Sequence, residues 1–183
     1  MGTKSGGSRR WEPLPLTVDP AADRIEIERF RSKVITGPRI EDCAIYTGAL
    51  SEGYGVFAIR RAGRVRMVRA ARYALALALN GDTLPADVRA LHQCDNPVCV
   101  RTVDAGDIVS GLALHVVAGD QRENMTRMAR MKRGGGRPTI VRRGAGVHER
   151  VTRALALREA VRHGWDDEAV AAILLGSSEP TLW

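Results

Sequence analysis

The chain has 183 residues, 44% hydrophobic but only 4% aromatic, which suits one compact domain with extensions, or two small ones, around a core lean in large rings. Lys and Arg number 28 against 21 acidic residues, and the net charge of +7 points to a polyanionic partner, most simply nucleic acid. No apolar stretch approaches the roughly 18–20 residues that span a bilayer, and the opening MGTKSGGSRRWEP lacks the apolar segment of a secretory signal, so no membrane and a cytoplasmic location are expected.

Residues 1–20 are rich in Gly, Ser, Arg and Pro and read as an arm. Asp19-Pro20 suits a helix start, and Ile25, Ile27, Phe30 and Val34 give a loose apolar stripe after it. Tyr54, Val56 and Phe57 form a β-rich run, Arg60 to Gly63 a turn, and Val65, Met67 and Val68 a second run. That is a hairpin with Arg64, Arg66 and Arg69 alternating along one basic face or edge. RYALALALNG is a short helix closed by Asn80-Gly81. ADVRALHQ is a short strand, LHVVAG a second, and the segment between them a loop. DQRENMTRMARMKR is a helix in which Asp120 and Glu123 make a capping box, so Asn124 falls in the first turn. Met125, Met128 and Met131, at roughly helical spacing, are expected in the core. GGGRPTIVRRGAG reads as a basic linker containing a Gly-Arg-Pro core of minor-groove type. The remainder reads as two helices broken at Gly164 and Gly176, with His148 and His163 as plain surface residues.

All three cysteines and one histidine stand in a spacing that carries chemistry: Cys43, then Cys94 and Cys99, then His115. Three cysteines cannot all pair within one chain, and clustered cysteines in a reducing compartment more often bind metal. Thiolates and an imidazole suit a tetrahedral structural zinc, with His115 as the fourth ligand. Asp95-Asn96-Pro97 supplies the turn that returns Cys99 to Cys94. Small buried cysteines without metal are the plain alternative.

The segments Gly53-Tyr54-Gly55, HQCDNPVCV from His92 to Val100 and HVVAGDQRENM from His115 to Met125 come in an order that resembles the HNH endonucleases. These belong to the wider His-Me finger (ββα-metal) superfamily, and the resemblance is strongest to the His-Cys box homing endonucleases and phage-type HNH proteins. It runs roughly from Cys43 to Arg137, with about a dozen residues (102–113) inserted before His115 relative to the family spacing.

The resemblance implies an α+β fold: a zinc-stapled ββα-metal core with an N-terminal β-hairpin and a C-terminal helical extension. The chain then divides into an arm and helix (1–38), the nuclease domain (39–133), a Gly/Arg linker (134–150) and a truncated helix-turn-helix-like tail (151–183). In that tail Ala169 to Leu175 would be the first helix and Ser178 to Trp183 the start of a recognition helix.

The implied roles follow residue by residue. His92 is the general base that activates water, since an imidazole accepts a proton near neutral pH. Asn124 is the ligand of a catalytic divalent ion such as Mg²⁺. Arg66 or Arg64 holds the scissile phosphate, and Cys43, Cys94, Cys99 and His115 hold structural zinc. The expected partner is double-stranded DNA, contacted by Arg60, Arg61, Arg64, Arg66, Arg69, Arg122, Arg127, Arg130, Lys132, Arg133 and Arg137. One such site cuts one strand, so a double-strand break calls for a homodimer or two successive nicks. The rival expectation is a non-catalytic zinc-dependent DNA-binding protein on the same scaffold, which has no need for both His92 and Asn124.

Overall fold

Alternation and turn chemistry produce the basic hairpin in this computed structural model, which describes residues 14–102, 115–130 and 140–175. Strands β5 (Tyr54–Arg61) and β6 (Arg64–Arg69) pair antiparallel from Val56 opposite Arg69 to Arg61 opposite Arg64. The turn is only Ala62-Gly63, two residues shorter than Arg60–Gly63, because both adopt positive φ (49° and 73°). That is the primed two-residue turn whose twist matches the strands. Phe57 and Ile59 point into the core, whereas Arg64 to Met67 of β6 are exposed.

Other strand pairs surround this sheet. The chain begins with β1 (Leu16–Thr17), α1 (Arg24–Arg31), β2 (Val34–Thr36), β3 (Ala44–Tyr46) and β4 (Leu50–Ser51). β1 pairs with β7 (Thr83–Leu84), β2 with β3, and β4 with β5, all antiparallel. Asp19 accepts from the backbone N–H groups of Ala21 and Ala22 at 2.8 and 2.9 Å, which makes a turn rather than the expected helix start. The helix begins at Arg24 and ends before Val34, which pairs with Tyr46 in β2–β3, and Ile25 is exposed. The expected apolar stripe therefore keeps only Ile27 and Phe30.

Helix α2 (Ala70–Ala78) buries Ala70, Ala71, Ala74 and Ala76, whose small side chains let it sit close to the sheets. Asn80 and Gly81 follow it with positive φ (52° and 106°), as the sequence suggested. Both phenylalanines and two of the three tyrosines gather around this helix. Phe30 stacks on Tyr46 with ring centres 5.7 Å apart, and Tyr73 meets Phe30 at 4.6 Å and Phe57 at 4.7 Å. Concentrating the few large rings at one point gives a lean composition a defined core.

β8 (Arg89–His92) pairs antiparallel with β9 (Val116–Gly119), and α3 (Gln121–Arg130) follows directly. The capping box is present: Glu123 N–H donates to Asp120 Oδ1 at 2.7 Å, and Asp120 N–H donates to Glu123 Oε2 at 2.8 Å. Met125, expected in the core, is 53% exposed.

The linker expectation for 134–150 fails over its second half, because α4 runs from Ile140 to Ala160. The boundary set at residue 150 falls inside this helix. Its Ala154 and Leu157, with Val161 just beyond, are fully buried in the same core as Tyr46 and Cys99, so residues 151–175 are not a separate tail. α5 (Asp167–Leu175) adds Val170 to that core. Residues 176–183, and with them the expected recognition helix, lie outside the described residues. Among the described residues no helix is long and apolar enough to cross a membrane.

Candidate metal centre and the side chains beside it

The Cys94–Cys99 loop is folded by its own polar residues. Asp95 adopts φ 55°, Cys99 N–H donates to Asn96 O at 3.1 Å, and Val98 N–H donates to the Asn96 side-chain oxygen at 3.1 Å. Asparagine and aspartate tolerate such backbone geometry and close short turns on themselves. The loop then docks as a strand on β3. Tyr46 N–H donates to Val98 O at 2.9 Å, Val100 N–H donates to Ala44 O at 2.8 Å, and Ile45 bridges Cys99. This brings Cys99 alongside Cys43, which immediately precedes β3.

His115 arrives from the other side of the inserted segment. Thr102 bridges Val116, Val116 N–H donates to Arg101 O at 2.8 Å, and Gln93 N–H donates to His115 O at 2.6 Å. The insertion therefore leaves and re-enters the fold at one place, and its length does not displace His115. Residues 103–114 themselves lie outside the described residues.

Cys43, Cys94, Cys99 and His115 form a cluster able to hold a metal ion, their ligand atoms all within 4.8 Å of one another. His115 Nδ1 is 3.7 Å from both Cys43 Sγ and Cys99 Sγ. An ion with sulfur at about 2.3 Å and nitrogen at about 2.0 Å requires a tetrahedral N···S edge of about 3.5 Å. The donor set and spacing thus fit such an ion, and Cys43, Cys99 and His115 are buried.

The thiol chemistry agrees. Cys94 is held well below the ordinary thiol value, first by hydrogen bonds from Cys43 and Cys99, then by His115 and His92. Cys43 is pushed up to about 12, mainly because it donates to Cys94, and Cys99 is raised by burial. Crowding three sulfurs together makes the ionisation of each depend on the other two. A divalent ion is the partner that lets all three ionise.

Family models, curated proteins and solved structures gave no match to this chain.

The remaining expected site residues fall into three groups. His92 ends β8, partly buried against Cys94, with its Nδ1 buried and without a hydrogen-bond partner among the described residues. Asn124 is partly buried in the first turn of α3, with its N–H donating to Asp120 O at 3.1 Å. These two therefore sit on the first and last elements of one β8–β9–α3 unit.

Arg60, Arg64 and Arg66 are exposed on the hairpin, and Arg122 is exposed on α3. Arg61 is different: it makes a two-pronged pair with Glu26 at 2.9 Å and reaches Asp23 at 3.2 Å. Its guanidinium anchors the hairpin to α1 instead of facing a nucleic acid. Arg69 donates to Ser51 O at 2.9 Å and lies over the Tyr54 ring. Arg127 and Arg130 lie on α3, and Lys132, Arg133 and Arg137 lie outside the described residues.

Two further residues, neither of them assigned a role from the sequence, stand beside His92 or its neighbour. The Tyr54 ring lies 6.3 Å from the His92 ring, and Arg150 of α4 lies over that same tyrosine at 4.8 Å. The motif Gly53-Tyr54-Gly55 could have flagged the tyrosine. Nothing local could have flagged Arg150, which stands in a stretch that reads as linker.

Proposed function

We propose that this chain is a DNA endonuclease of the HNH, His-Me finger type, with zinc in the Cys3His cluster as a structural staple. The observation that carries the reading is the order of parts around that cluster. A strand ends on His92 two residues before a ligand, its partner strand begins one residue after another ligand, and a capped helix then presents Asn124. The motif resemblance assigns those positions to base, staple and metal-bearing helix. Zinc accounts for the four-ligand geometry, and a small ββα unit gains most from such a staple.

In this reading His92 takes the proton from the attacking water. Its ring is partly buried, and it stands two residues before Cys94 on the stapled loop, which sets its backbone position. Asn124 offers one carboxamide oxygen, with water and phosphate oxygens completing the shell, and this suits Mg²⁺. Mg²⁺, when bound, would stabilise charge on the leaving oxygen. The hairpin, with Arg60, Arg64 and Arg66 exposed, is a two-stranded ribbon of the kind that a major groove admits. The exposed Val65 (62%) and Met67 (40%) on its second strand suit contact with thymine methyl groups.

Elemental analysis of purified protein should find about one zinc per chain. Wild type should cut or nick duplex DNA only with Mg²⁺. His92→Ala should keep its zinc and its DNA affinity and lose at least about a hundredfold in cleavage. A folded protein without zinc, or undiminished cleavage by His92→Ala, would refute the assignment. DNA binding without cleavage by wild type would favour the non-catalytic scaffold.

A further inference from the structure

We infer that Arg150 of α4, with Arg69 and the Tyr54 ring, forms a subsite that holds a backbone phosphate of the DNA strand beside His92. The inference rests on the nuclease reading for what His92 does, but phosphate binding here stands on its own geometry.

The subsite is built where α4 crosses the turn between β4 and β5. Glu52 and Gly53 adopt φ of 54° and 82°. A Cβ on Gly53 would lie 2.7 Å from Arg150 Cγ and 3.0 Å from the Arg150 backbone, so only glycine admits the helix this closely. The contact is fastened by Arg150 Nε, which donates to Glu52 O at 2.7 Å, and further along by Arg153, which donates to Asp95 O in the metal-bearing loop at 3.4 Å. One helix thus touches both the Tyr54 turn and the loop that carries Cys94 and Cys99.

The electrostatics point to an anion. Two guanidinium carbons sit 5.0 and 4.8 Å from the centre of one tyrosine ring. Each is stabilised by the ring face, but the two repel each other. Glu52 reaches Arg69 at 3.8 Å through a side chain that is 68% exposed, a weak counter-charge. Burial and the neighbouring Arg150 charge both press the Arg69 pKa down. A phosphodiester bound by the terminal nitrogens of Arg150, with the Arg69 charge nearby, would relieve that repulsion through charge-assisted hydrogen bonds. The ring that both arginines share lies 6.3 Å from the His92 ring, so the subsite and the proposed base have one side chain as a common neighbour.

The test uses the full chain. Affinity for a labelled duplex is measured by fluorescence anisotropy across a salt series, and Mg²⁺-dependent cleavage on the same duplex, for wild type, Arg150→Gln and Arg150→Lys. Arg150→Gln should bind about tenfold more weakly and lower the slope of log K against log salt by about 1, the signature of one lost phosphate contact. Arg150→Lys should keep the slope but cut at least about tenfold more slowly, since a point charge cannot reproduce the fork. A helix that merely needs Arg150 for folding would not change the slope. Should Arg150→Gln melt early, Arg69→Gln provides the same slope test. An unchanged slope in the folded variants overturns the subsite even if wild type cuts. A wild type that binds but never cuts overturns the nuclease reading and leaves the slope test standing. A wild type that neither binds nor cuts overturns both.

Discussion

Tyr46 joins the core to the metal cluster: its N–H holds the carbonyl of Val98, and its hydroxyl donates to Val56 O at 3.0 Å. Burial pushes its phenol up to about 12, and Tyr73 is raised by burial and then by Glu26 and Asp23. A phenol whose folded pKa exceeds its unfolded value near 10 stabilises the fold fully below pH 10. Above that the unfolded chain releases the proton and the folded chain keeps it, so stability falls as pH rises. Each phenol then loses about 1.4 kcal/mol per pH unit until its folded value is reached. The urea midpoint should hold to about pH 10 and drop steeply by pH 11. Tyr46→Phe should remove roughly half of that alkaline drop, at a neutral-pH cost of about 1 kcal/mol for the lost hydrogen bond. An alkaline drop of full size in Tyr46→Phe would contradict the assignment.

At the scale of elements, the capping box at Asp120 and Glu123 sets where α3 begins and so where Asn124 stands. Asp120→Ala should cost about 1 kcal/mol in global stability. It should also lower Mg²⁺-dependent cleavage severalfold while zinc content stays constant, because only the helix start loosens. Equal loss of zinc and activity would mean that the cap supports the whole unit. This box, the hairpin and the β8 and β9 segments were legible because their signals are local: turn residues, alternation, a cap three residues before its partner. Arg61 was misread for the opposite reason. Within its own strand it is one more basic residue, and Glu26 reaches it only because α1 packs across β5. The long α4 was misread too, since Gly144 and Gly146 weaken helix propensity. Packing of Ala154, Leu157 and Val161, not propensity, sustains that helix.

For the whole molecule, the candidate cluster was legible as a ligand set but not as a place. Spacing groups Cys94 with Cys99, whereas Cys43 joins them only through the docking of 98–100 on β3, a contact across more than fifty residues. The same core receives α4, whose Leu157 is fully buried beside the elements that carry the ligands. If cluster and C-terminal helix share one core, they must unfold together. Leu157→Ala should then destabilise by about 3 kcal/mol through lost burial and a cavity. Circular dichroism and metal release to a chromogenic chelator should move together to a lower urea concentration, each as a single transition. In a chain whose C-terminal third folded apart, the variant would shed helix signal early and leave the metal-release midpoint where wild type has it. The two midpoints measured on one sample therefore decide between a single unit and two. They also decide whether Arg150, seven residues before Leu157 on the same helix, is held over Tyr54 by the core that carries the candidate ligands.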